Sequence, residues 1–216
     1  MKKPIISCML LGAFVSGVVA AKMHSRLAWA RAGQPALCFD VPCAQFGIRL
    51  SAIESIISQL PPGPKYLAVG DSITEMADLP VICGRRPINA GISWATTGTF
   101  HTHGRRLAEL AKPDFVVLAL GTNDAVRLKD NGFRVRFTAL LTSLAAWPVI
   151  VVPLPPGRIV PDVQQYNASI VEAGKPMASP LLSVENTPDG VHLTSSDYVA
   201  WKASIITAAE RTVCAK

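Results

Sequence analysis

Residues 65–76 read KYLAVGDSITEM, and the fold is decided by how this stretch is understood. Tyr66-Leu67-Ala68-Val69 is a short, wholly apolar run of the kind that forms a buried strand, and Gly70-Asp71-Ser72 favours a sharp turn. A serine on such a turn either caps the next helix or is lifted clear of a sheet to do chemistry.

The flanking sequence repeats the pattern. Upstream, residues 46–59 carry Ile48, Ile53, Ile56 and Ile57 at helical spacing, and Pro61-Pro62-Gly63-Pro64 stops that helix. Downstream, strand-like runs at 87–90, 114–120, 148–154 and 181–184 alternate with helical stretches at 99–111, 133–147, 161–173 and 197–213. Leu107, Leu110 and Ala111 are core candidates in the first of these helices, and Ser195 or Ser196 can cap the last. Uniformly apolar strands alternating with helices predict a parallel sheet covered on both faces. The expected fold class is α/β, a three-layer α/β/α sandwich with a five-stranded parallel sheet. In such sheets ligands bind beyond the carboxyl ends of the strands.

The chain has 216 residues, half of them apolar and 17% charged, enough for one domain with a full core. Met1-Lys2-Lys3 precedes an uncharged stretch from Pro4 to Ala21, ending in Val19-Ala20-Ala21. Residues 1–21 therefore read as a signal peptide, with an uncleaved N-terminal membrane anchor as the other reading. Residues 22–45, interrupted by Gly33, Pro35 and Pro42, read as a linker or arm, leaving 46–216 as the domain. The expected location is exported, periplasmic or secreted, with membrane attachment possible only through the N-terminal segment. The net charge of +6 does not indicate nucleic acid. Five of the 21 Lys and Arg lie within residues 1–32, where no acid occurs, so the remainder is nearly neutral.

Without Cys8, four cysteines remain: Cys38, Cys43, Cys83 and Cys214. In an exported chain they allow one or two disulfides in three pairings, or buried thiols. Cys38 with Cys43 would leave Cys83 to tie the C-terminal helix to the sheet through Cys214. Their spacings fit no standard zinc pattern.

The loops after the strands hold Gly70-Asp71-Ser72-Ile73-Thr74, Asn89-Ala90-Gly91-Ile92-Ser93, Gly121-Thr122-Asn123-Asp124 and Asp189-Gly190-Val191-His192. These are the parts of an acyl-transfer site. Ser72 needs a base, which His192 can supply, and Asp189 can fix the imidazole tautomer. The backbone N–H groups of Ser72 and Gly91 and the Asn123 amide are candidate donors to a developing oxyanion.

In these four blocks, in this order, the chain resembles the SGNH hydrolases, also called GDSL esterases/lipases, over about residues 64–210. The resemblance implies a flavodoxin-like sheet and a serine esterase or acyltransferase with no metal and no organic cofactor. It places the nucleophile at Ser72, the acid–base pair at Asp189 and His192, and the oxyanion hole at Ser72, Gly91 and Asn123. The implied reaction is hydrolysis of an acyl ester, with O-acetylated carbohydrate or another small-molecule ester as substrate. An O-acyltransferase acting on polysaccharide, a lipase or thioesterase, and a non-catalytic carbohydrate-binding domain are the alternatives.

Other readings compete locally. Gly91-Ile92-Ser93-Trp94-Ala95 nearly matches the nucleophile elbow of α/β-hydrolases, which would make Ser93 the nucleophile, but the last glycine is missing. Asp124 reads as a plain turn residue, and His101 and His103 as pocket-lining or solvent-facing side chains. Trp94 and Arg127 follow site loops and are candidates for substrate contact.

Overall fold

The computed structural model describes residues 41–128, 132–160, 162–182 and 187–214. The leader at 1–21, most of the arm and Cys38 lie outside the described residues. By its contacts the chain divides between Ala44 and Gln45, and the packing below is that of Gln45–Lys216.

Four parallel strands form the sheet: β1 (Lys65–Gly70), β2 (Arg86–Gly91), β3 (Phe115–Ala119) and β4 (Val149–Val151), in the order β2-β1-β3-β4. The helices are α1 (Val41–Gln59), α2 (Ser72–Glu75), α3 (Thr97–Ala111), α4 (Phe133–Ser143), α5 (Val163–Glu172) and α6 (Ser195–Thr212). A π-helical turn spans Asp124–Leu128.

Alternation along the strands builds the layers. Leu67, Val69, Val116, Leu118, Val149 and Val151 face one cluster, which holds Ile53 and Ile57 of α1, Phe100 and Leu107 of α3, Phe137 and Leu140 of α4, and Ile170 of α5. Tyr66, Ala68, Phe115, Val117 and Ile150 face the other, against Trp201, Ile205 and Ala208 of α6. With both faces covered, β1, β3 and β4 are buried almost throughout, which is why those runs are mostly apolar, whereas β2 at the sheet edge leaves Arg86 exposed and Pro87 and Asn89 half-buried. Each buried Val, Leu, Ile or Phe contributes about 1.5–3 kcal/mol by leaving water.

Several boundaries differ from expectation. The first helix among the described residues begins at Val41, inside the segment expected to be an arm. Pro42 does not prevent this, because a first-turn residue has no intrahelical acceptor for its N–H anyway. Of the stripe on α1, Ile53 and Ile57 are buried, whereas Ile48 and Ile56 are exposed, as is Leu110 of α3. The expected fifth strand is not seen among the described residues. Ser183 and Val184 lie outside them. Met177 makes only an isolated parallel bridge to Val151, and the Pro180 that soon follows has no N–H to extend a ladder. The last helix is capped by Thr194, whose side chain accepts from Asp197 N–H, and not by a serine.

Cys83 and Cys214 form a disulfide, closing 131 residues of chain and tying the end of α6 to the loop before β2. The companion pairing expected of Cys38 with Cys43 lies outside what is described. Among the described residues, no helix is long and apolar enough to cross a membrane.

Candidate active site

The register fixes where the site forms. Gly70, the last residue of β1, lies level with Gly91 of β2 on one side and Ala119 of β3 on the other. The strand order reverses here, since the chain leaves β1 for β2 and returns across β1 to β3. Loops that leave such a switch point diverge and open a crevice. Ser72, the loop 92–96 and Asn123 all lie at this edge.

Gly70 makes the turn possible. A Cβ there would lie 1.9 Å from Thr74 Oγ1 and 3.0 Å from Ala119 O, so only glycine lets α2 fold back against the strand end. Asp71 then caps α2, its Oδ1 accepting from Ile73 N–H at 3.0 Å. Tyr198 of α6 donates to Ile73 O at 2.9 Å, tying the turn to the last helix.

Burial pushes the Asp71 carboxyl up to about 6, against the Ile73 N–H, which pulls it down. The fold therefore favours the neutral acid. Its native state holds a proton that the unfolded chain releases near pH 4, so stability falls as pH rises from about 4 through 6. Asp71→Asn keeps an acceptor for Ile73 and removes the buried charge. Its unfolding free energy in urea is expected to approach that of the wild type near pH 4. Above pH 6.5 it should exceed it, by on the order of 2–3 kcal/mol.

Ser72 Oγ lies 2.8 Å from His192 Nε2, and His192 Nδ1 lies 2.5 Å from Asp189 Oδ2. The 189–192 loop is built around the aspartate. Asp189 Oδ1 accepts from the N–H groups of Val191 at 2.9 Å and His192 at 2.8 Å. The His192 ring, then its backbone N–H, hold the Asp189 carboxyl well below the usual carboxylate range. A neighbouring loop braces this one, with Arg158 donating to Pro188 O at 2.9 Å and Ile159 N–H to Gly190 O at 3.3 Å. A serine proton can thus pass to an imidazole whose other nitrogen is engaged by a carboxylate.

The donor side differs from the sequence expectation. Gly91 N–H donates to Asn89 Oδ1 at 2.9 Å and is committed there. Gly91 is glycine for another reason: a Cβ would lie 2.2 Å from Glu75 N, so the residue lets α2 pack on β2. In the loop that follows, Ser93 N–H goes to Glu75 Oε2, Ala95 N–H to Ile92 O, Thr96 N–H to Thr99 Oγ1 and Thr97 N–H to Asp124 Oδ2. Trp94 N–H has no such partner among the described residues. Trp94 also has φ +67°, a left-handed conformation that is unusual for a bulky residue. Nothing in the residue type signals this.

Asn123 Nδ2 donates one proton to Ala95 O at 3.0 Å, leaving the second uncommitted. Asp124, expected to be a plain turn residue, is fully buried. It accepts from Thr97 Oγ1 at 2.6 Å and pairs with Arg136 at 3.2 Å, locking the Asn123 turn to the start of α3. Burial raises its carboxyl above the ordinary range, against these partners. Ser93 Oγ donates to Glu75 Oε2 at 2.6 Å, where no imidazole meets it. His103 packs against Phe46, with ring centroids 5.4 Å apart.

A family model described as GDSL-like lipase/acylhydrolase matches residues 68–200. Solved structures share the fold at low identity. A GDSL-like lipase from Bacteroides thetaiotaomicron is 21% identical with TM-score 0.61, covering 75% of this chain and 97% of that one. A lipase/acylhydrolase from Enterococcus faecalis is 20% identical with TM-score 0.56, covering 69% and 96%. The acetylxylan esterase Axe2 from Geobacillus stearothermophilus is 18% identical with TM-score 0.54, covering 69% and 95%. No curated protein matches the chain.

Proposed function

We infer that this chain, which belongs to the GDSL-like lipase/acylhydrolase family and is a carboxylic ester hydrolase, works through Ser72 as nucleophile, His192 as base and Asp189 as its orienting carboxylate. The observation that carries this reading is the 2.8 Å approach of Ser72 Oγ to His192 Nε2, with Asp189 on the opposite ring nitrogen.

In the proposed cycle His192 Nε2 takes the Ser72 proton as Oγ attacks the ester carbon. The carbonyl π pair moves onto oxygen. Collapse of the tetrahedral adduct breaks the bond to the alkoxy oxygen, which takes the proton back from His192 and leaves as alcohol. Water repeats the sequence on the acyl-serine, releasing the carboxylic acid and restoring Ser72. The proposed oxyanion donors are the Ser72 N–H, the free Asn123 amide proton and, in place of Gly91, the Trp94 N–H. For Asn123→Ala we expect turnover to fall about 10²–10³-fold while Ser72 still reacts with a fluorophosphonate. Steady-state kinetics beside labelling check this.

The substrate class proposed is an O-acetylated carbohydrate. Fold similarity to an acetylxylan esterase supports it. Export through a leader at 1–21 belongs to the same proposal and is supported by the Cys83–Cys214 disulfide, a bond that persists in oxidising compartments. The test is acetate release from an acetylated oligosaccharide panel and turnover of p-nitrophenyl acetate, with fluorophosphonate labelling of the purified protein. Absence of all three overturns the reading.

A further inference from the structure

Two side chains beside the site loops are unused by the chemistry above. Trp94 is a large aromatic residue, 48% exposed, held at φ +67°. Both its neighbours are pinned to site elements. Ser93 is bound through its N–H and hydroxyl to Glu75, one turn along the helix that Ser72 begins. The carbonyl of Ala95 accepts from Asn123. The Trp94 backbone is therefore held between the nucleophile helix and the Asn123 turn. An exposed bulky side chain kept in an unfavourable backbone region beside a reaction centre calls for a ligand-facing role.

Arg127 completes the group. Its guanidinium carbon lies 5.4 Å from the Trp94 ring centroid, and Nη1 donates to Trp94 O at 3.5 Å. It has no carboxylate partner among the described residues, unlike Arg49, Arg134 and Arg136. Arg158, whose guanidinium bonds to the carbonyl of Pro188 beside Asp189, also lacks one. Among the described residues these two guanidiniums, each bonded to a carbonyl of a site loop, thus have no carboxylate partner.

We propose that Trp94 and Arg127 form a subsite for the sugar ring of an anionic, uronate-type ester, the exposed part of the indole stacking on the ring and the guanidinium pairing with its carboxylate. An indole meets the C–H face of a sugar as it meets other apolar surfaces, and a planar guanidinium matches a carboxylate with two parallel N–H donors. Arg158, bonded to the loop that carries Asp189, adds attraction of the same sign. This inference rests on the esterase reading above, but its test does not.

The test uses binding to the inert Ser72→Ala protein, titrated calorimetrically with an O-acetylated oligouronate and an O-acetylated xylo-oligosaccharide of equal length. The uronate is expected to bind about tenfold or more tightly, an advantage that shrinks as salt rises. Arg127→Gln on that background should lose most of this preference, and Arg127→Lys should restore part of it. Trp94→Gly, which adopts positive φ freely and so keeps the loop, should weaken both sugars. Equal affinity for the two sugars, or a preference unchanged by Arg127→Gln, overturns the proposal. Turnover of p-nitrophenyl acetate by the wild type reports separately on the esterase reading.

Discussion

Ser72→Ala is expected to abolish fluorophosphonate labelling and to lower ester turnover by about 10⁶-fold. The size follows from what the substitution removes. Ser72 Oγ is the hydroxyl that meets the His192 ring, at 2.8 Å. Without it His192 can still deprotonate a water, but that water is neither tethered to the protein nor placed under the oxyanion donors, so the effective concentration of nucleophile collapses. Whatever rate remains comes from substrate binding and from donors that still stabilise a transition state. The fold should not suffer. The cap of α2 is Asp71 and the brace is Tyr198, and neither uses the serine oxygen. A melting temperature close to that of the wild type would therefore accompany the loss. Ser93→Ala is the informative companion. Ser93 Oγ donates to a carboxylate, so its removal should leave labelling in place. Loss of labelling in Ser93→Ala with retention in Ser72→Ala would reverse the assignment in favour of the 91–95 segment.

The architecture was legible because the β1, β3 and β4 runs are apolar on both faces, and that pattern has one common cause, a parallel sheet between two layers of helices. Loop chemistry was legible for the same reason: once the strands are placed, only a few residues can lie at their carboxyl ends. Two kinds of feature were hidden. One is competition for backbone hydrogen bonds. Gly91 looks like an ideal donor by residue type, but its N–H is taken by Asn89 two residues earlier, and only coordinates show which acceptor wins. The other is conformation imposed from outside. Nothing about tryptophan suggests positive φ. Trp94 adopts it because Glu75 and Asn123, both distant in sequence, hold the residues on either side. Asp124 is a third case: a turn residue by local pattern, it is drawn inside by Thr97 and by Arg136 from another helix. Edges were uncertain where sterics and not periodicity decide, as with Pro42 inside a first helical turn and Pro180 beside a would-be fifth strand.

Asp189→Asn is expected to lower kcat by about 10⁴-fold with little change in KM or stability. The aspartate does two separable jobs. Through Oδ1 it accepts from the N–H groups of Val191 and His192 and shapes the loop. Through Oδ2 it engages the His192 ring at Nδ1. An asparagine can keep the first job, because its carbonyl oxygen still accepts. It reverses the second, because an NH₂ group now faces Nδ1 and favours the tautomer in which that nitrogen carries no proton. The proton then sits on Nε2, facing Ser72, and the ring cannot take the serine's own. A folded protein with a correctly placed but wrongly protonated histidine results. The acid side gives an independent check. Because the His192 ring and backbone N–H hold the Asp189 carboxyl far below the usual range, the wild-type aspartate stays ionised at mildly acid pH, and its protonation should not shape the activity profile above pH 4. The variant's deficit relative to wild type should accordingly be present in full at pH 5 as well as at pH 8. A deficit that disappeared at pH 5 would mean that the carboxylate had already been neutralised there, and that its part in orienting His192 was misassigned.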